Sequence, residues 1–145
     1  MTGALAVLVG VMAGCVEHPG LPAKTNGAYE QKSKLTADAA GSAVGTVVLV
    51  LDAEALDNTT AVYRDETISD AEDDLAATVG SFSSIQPPTD RSAALRDDVM
   101  DVLDEATSEV AEVRIALRLG HRRQALDQRQ SLERIGSKLE ELSGP

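Results

Sequence analysis

The sequence predicts an all-α fold: an up-down-up-down antiparallel four-helix bundle over residues 29–145, behind a short apolar leader and a flexible tether. Three observations lead there. After residue 28, apolar residues recur at three- and four-residue steps, the spacing that lines one face of a helix. Turn and cap residues interrupt the pattern near 57–59, 83–89 and 119–121, and connections this short join antiparallel neighbours. At 145 residues there is room for one domain, with enough Leu, Val, Ile and Ala to build its core.

The first helix is expected over about 28–56, with Leu35, Ala39, Ser42, Thr46, Leu49, Ala53 and Leu56 in strict heptad spacing as its core face. Gly45 to Leu51 is rich in β-branched residues and also reads as a buried strand. A lone strand among helices would leave its backbone groups unpaired, which favours the helix. Residues 39–51 are uncharged, yet thirteen residues are too few to cross a bilayer, which takes roughly 20. Gly41 and Gly45, four apart, mark a close helix crossing.

The second helix, 60–83, begins near Asn58-Thr59-Thr60 and repeats Ala61, Ile68, Leu75 and Phe82 seven apart, with Ala71 and Val79 widening the seam. The third, 90–119, has the clearest signals. Thr89 and Asp90 follow Pro87-Pro88 as a cap, and Leu95, Val99, Val102, Leu103, Ala106, Val110, Val113 and Leu117 form the face. Gly120 ends it as a left-handed residue. The fourth, 122–143, places Leu132, Ile135, Leu139 and Leu142 together before Gly144-Pro145.

Ahead of the bundle, Ala4 to Gly14 is an uncharged run of eleven residues, the length of a secretory leader's apolar region and too short to span a bilayer. Cys15 follows directly. Val11-Met12-Ala13-Gly14-Cys15 resembles the lipobox of bacterial prolipoproteins. That resemblance implies that residues 1–14 are a signal peptide cut between Gly14 and Cys15. It also implies acylation of the Cys15 thiol and an address on the extracytoplasmic face of the cell membrane. The competing reading is a buried structural cysteine on an apolar helix. Residues 15–28, with Pro19, Gly20, Pro22 and Gly27, read as a tether.

The net charge of −11 falls entirely after residue 14 and argues against a nucleic-acid partner, which calls for a basic footprint. Only Tyr29, Tyr63 and Phe82 are aromatic, which disfavours a small-molecule pocket. No metal or cofactor motif is present: His18 and His121 lack a Glu three residues before them, and Glu-x-x-His is what bundle di-iron sites use. A single cysteine excludes an internal disulfide. Catalysis would have to use core-proximal carboxylates such as Asp65 and Glu72, and Asp97, Asp101, Asp104 and Glu112 form a solvated ridge.

The charges point instead to one end. Asp52, Glu54 and Asp57 crowd the negative pole of the first helix, and His121, Arg122 and Arg123 the positive pole of the fourth. The up-down topology brings these ends together, so Asp52 and Asp57 are expected beside Arg122 and Arg123 as a candidate interaction tip. Two separate solvated patches are the plainer alternative. The expected role is a non-enzymatic interaction or sensing module, its partners the membrane through Cys15 and another envelope protein. A metal-dependent or enzymatic bundle, or an accessory subunit of an envelope transporter or receptor, are the alternatives.

Overall fold

The computed structural model describes residues 23–144, and among them every regular element is a helix. They are α1 (Asn26–Ala55), α2 (Ala61–Ser83), α3 (Asp90–Arg118), α4 (Arg122–Asp127) and α5 (Arg129–Ser143). Gly14 and Cys15, with the leader and most of the tether, lie outside the described residues. The tether ends earlier than the sequence suggests. Ala23 is already buried, and Thr25 caps α1 by accepting from the Ala28 amide at 3.2 Å.

Thr60 and Thr89 cap α2 and α3 in the same way, through the Tyr63 and Ser92 amides. Gly45 to Leu51 is helical throughout. The expected fourth helix is divided at Gln128, whose amide bonds back three residues to Ala125 O at 3.2 Å, tightening one turn.

The faces of α2, α3 and α5 are those expected, with Ile68, Leu75, Phe82, Val99, Leu103, Ala106, Val110, Val113, Leu132, Ile135 and Leu139 buried. Ala61, placed on the α2 seam by its spacing, is exposed where the helix starts. The register of α1 is the main correction. Its buried seam is Tyr29, Ser33, Ala37, Ala40, Val44, Val47, Leu51 and Glu54, two residues away from the expected one. Leu35, Leu49 and Leu56 are 59 %, 69 % and 71 % exposed. Two residues turn a helix by about 200°, so the expected core face looks outward.

The reason is that α1 is uncharged on every side from 39 to 51, so periodicity alone does not select a face. Close packing does. α1 lies against α2, α3 and α5, whereas α2 and α5 make no backbone contact. The α1–α3 pair therefore spans the short diagonal of the cross-section, where Ala37, Ala40 and Val44 fit and a row of leucines would hold the helices apart. A Cβ at Gly41 would meet Leu139 Cβ at 3.7 Å, so the expected close crossing is with α5; Gly45 faces open space.

Contacts at the ends fix which termini meet. Asn26 Oδ1 accepts from Thr89 and Ser92 hydroxyls at 2.8 and 3.0 Å, and the Tyr29 and Phe82 rings are 5.8 Å apart. At the opposite end of α1, Glu54 meets Arg64 of α2 and Arg122 of α4.

Candidate functional site

The end of the bundle built from the C-termini of α1 and α3 and the N-termini of α2 and α4 holds the densest set of charged contacts. Two matching helix stops shape it. α1 ends with Asp57 in the left-handed region (φ 55°) and the Asn58 amide bonded to Ala53 O at 2.8 Å. α3 ends with Gly120 at φ 74° and the His121 amide bonded to Ala116 O at 2.8 Å. Both satisfy carbonyls that the last turn leaves open. Gly120 does this without strain, whereas Asp57 accepts a conformation that short polar residues tolerate better than most.

Glu54 is the centre of the cluster and is 9 % exposed. Arg122 Nε donates to its Oε1 at 2.9 Å, and Arg64 Nη1 to its Oε2 at 3.4 Å. The second Arg122 nitrogen also reaches the Glu54 carbonyl and, at 2.7 Å, Asp57 Oδ1. Arg64 turns its other edge to Asp65 at 2.8 Å. One guanidinium thus joins the end of α1 to the start of α4, and a second joins α1 to α2. Each helix end carries charge of the wrong sign for its own dipole, costing a few tenths of a kcal/mol to about 1 kcal/mol, and the cross-helix pairs offset this.

The expected pairing is therefore present for Asp57 and Arg122 and altered for the other two residues. Asp52 pairs with Arg129 of α5, about two turns beyond Arg122, and Arg129 also meets Glu133 at 2.9 Å. Asp52 points toward α5, not toward the α1–α4 junction. The Arg129 hydrogen bond holds the Asp52 carboxyl below its ordinary value. Arg123 is exposed and makes no ion pair among the described residues. The sequence places Glu54 in the acidic end of the first helix without marking it as buried, and it gives no signal for Arg64 or Arg129. Glu54 follows Leu51 by three on the true seam, so a correct register would have marked it as a buried acid in need of a partner.

Around these ion pairs the same end exposes Leu56, Val62 (81 %), Tyr63, Ile115 and Leu119 (64 %). Large apolar side chains at the ends of three helices thus stand exposed beside a fixed set of charges.

Glu72 on α2 accepts from Arg114 of α3 at 3.2 Å, and Asp65 is held by Arg64, so the two do not face each other as an acid–base pair. Asp97, Asp101, Asp104 and Glu112 are exposed along α3, with Glu112 accepting from Gln128 at 2.9 Å. Among the described residues no group of three or more His, Cys, Asp or Glu is placed to hold a metal ion. A groove of about 980 Å³ runs between α1 and α2, with Leu35, Ala39, Ala71, Phe82 and Ile85 among its walls.

By length and composition α1 is apolar enough to cross a membrane; an 18-residue stretch of it has a mean hydropathy of 1.4 and is 39 % buried within the bundle. No protein-family model, no curated protein and no solved structure matches this chain.

Proposed function

We propose that the chain is an extracytoplasmic lipoprotein, anchored in the cell membrane by acyl chains on Cys15, whose antiparallel up-down-up-down bundle is a non-enzymatic interaction module. The observation that carries this is the tip, where ion pairs fix three helix ends while five large apolar side chains stay exposed. The topology is supported by the contacts of α1, which meets α3 at its start and α2 and α4 at its finish. The anchor is supported by Ala13-Gly14-Cys15 closing an apolar run of leader length. Membrane attachment belongs to Cys15 and not to α1, because the α1 seam carries Glu54 with two guanidiniums and is enclosed by three helices. The tip opposite the emerging N-terminus is the end free to meet another envelope protein.

Expression in a bacterial envelope tests both halves. The protein should partition into detergent with acyl mass on Cys15, and Cys15→Ala should release it or hold it as a precursor. A photo-crosslinking residue at Tyr63 should capture a partner that the same residue at Asp98 does not. Detergent partitioning without acyl mass refutes the anchor, and equal capture at both positions refutes the tip.

A further inference from the structure

We infer that a cleft at the foot of the bundle, the end opposite the Glu54–Arg122 cluster, binds a small zwitterion: a primary ammonium and an anionic phosphate or carboxylate on one short chain. The start of α1, the start of α3 and the end of α5 enclose about 540 Å³ there, within the range of ligand sites. Leu95 and Leu142 form an apolar side, and most of the other walls are polar. The scarcity of aromatic side chains disfavours an apolar ligand but not one held by charge.

Four charged side chains of both signs line the cleft: Glu30 and Lys34 from α1, Arg91 from α3 and Glu141 from α5. Glu30 and Lys34 stand four apart, in the order that pairs along a helix. Yet among the described residues none of the four is in an ion pair or a side-chain hydrogen bond. Elsewhere Asp52, Glu72 and Glu105 each take a basic partner from another helix. In the cleft, two cations and two carboxylates surround one space without neutralising each other.

The floor beneath them is preorganised. Ser33 and Ser92 are buried, and the Ser92 and Thr89 hydroxyls donate to Asn26 Oδ1 at 3.0 and 2.8 Å. This fixes the Asn26 amide with its two Nδ2 hydrogens as the free edge. Ser33 donates to Tyr29 O at 3.0 Å and keeps its lone pairs. Asn26, Lys34 and Arg91 therefore offer donors to an anionic group, while Glu30, Glu141 and Ser33 offer acceptors to an ammonium. One sign alone would take a simple ion; both signs select a molecule that carries both.

This chemistry has two sources: a soluble zwitterion such as phosphoethanolamine, and the headgroup of phosphatidylethanolamine. The foot is where the chain enters α1, so under the proposed anchor it is the end nearest the lipid. A soluble ligand needs no anchor, so the site is tested apart from Cys15.

The test titrates the full chain with O-phosphoethanolamine and follows backbone amide signals by NMR. Shifts should centre on residues 26–34, 91–95 and 141–144, with a Kd of about 1 mM. Inorganic phosphate and ethanolamine should each bind about 10-fold more weakly, as should phosphocholine, whose nitrogen carries no hydrogen. Lys34→Gln with Arg91→Gln, or Glu30→Gln with Glu141→Gln, should weaken binding about 10-fold, whereas Asp98→Asn, outside the cleft, should not. Unchanged circular dichroism separates lost binding from lost fold.

Vesicles distinguish the sources. Flotation with phosphatidylethanolamine–phosphatidylcholine vesicles beyond that with phosphatidylcholine alone, abolished by Glu30→Gln with Glu141→Gln, assigns the headgroup. Equal flotation with both, alongside binding of O-phosphoethanolamine, assigns the soluble zwitterion. Three results would overturn the inference: no shifts at about 10 mM O-phosphoethanolamine, inorganic phosphate binding as tightly, or either pair of substitutions leaving the affinity unaltered.

Discussion

Leu49 and Leu51 are the same residue type two positions apart on one helix, and the structure gives them opposite roles. Leu51 is fully buried between helices, whereas Leu49 is 69 % exposed. Truncation of a buried leucine removes its transfer free energy and leaves a cavity that close-packed neighbours fill only in part, at a cost of 2–5 kcal/mol. Leu51 is wholly enclosed in the core, so Leu51→Ala is expected to cost about 3 kcal/mol. For a domain of this size that lowers Tm by roughly 10–20 °C. Leu49→Ala, with little buried area to lose, should stay within about 0.5 kcal/mol. The assay is urea and thermal unfolding followed by circular dichroism at 222 nm, at protein concentrations low enough that the midpoint no longer depends on concentration. Equal costs for the two variants, or a larger one for Leu49→Ala, would restore the original heptad face and refute the packing described for α1.

The tip gives a second comparison: Arg122→Glu should cost about 2 kcal/mol, more at low salt, because Glu54 loses a partner and gains a like charge, while Arg123→Glu should cost less than about 0.5 kcal/mol. Adding Asp57→Arg should recover part of the Arg122→Glu loss, since Asp57 pairs with Arg122 at the exposed edge; adding Asp52→Arg should not, and recovery by both would undo the assignment of Asp52 to Arg129. Asp52 also predicts a pH dependence. Its carboxyl is held low in the folded chain, so its contribution is fully present above the ordinary carboxylate value and fades as pH falls from there through the lowered folded value. The stability gap between the native chain and Asp52→Asn should therefore close on acidification, and a gap that widens toward low pH contradicts the pairing.

Helix positions and ends were legible because their signals are local. Thr60, Thr89 and Gly120 act through the backbone next to them, and the α2, α3 and α5 faces alternate clearly with charge. The α1 register was not legible, since its Ala, Ser, Thr, Val and Gly residues leave no polar side to orient the helix. Leucine then drew attention to the face with the larger side chains, although the short diagonal requires smaller ones. Tyr29, four before Ser33 on the true seam, was the available marker. At the tip, charge read with the expected helix order put Asp57 near Arg122, and the structure pairs these two. Charge did not identify Glu54 as the buried hub, because that depends on the register, nor Arg129, because its reach to Asp52 depends on how α5 lies along α1.

The burial of Ala23 sets a length. Between Cys15 and the point where the chain is seated stand only seven residues, Val16 to Pro22, so the leash from an acylated Cys15 spans at most about 28 Å. α1, with 30 residues, is about 45 Å long. The leash is shorter than the rod. Were Cys15 acylated as proposed, a leash of that length would hold the N-terminal end of α1 within about 28 Å of the lipid. A bundle standing upright would then present the Glu54–Arg122 end about a helix length farther out, and a bundle lying flat would turn the same end sideways along the surface.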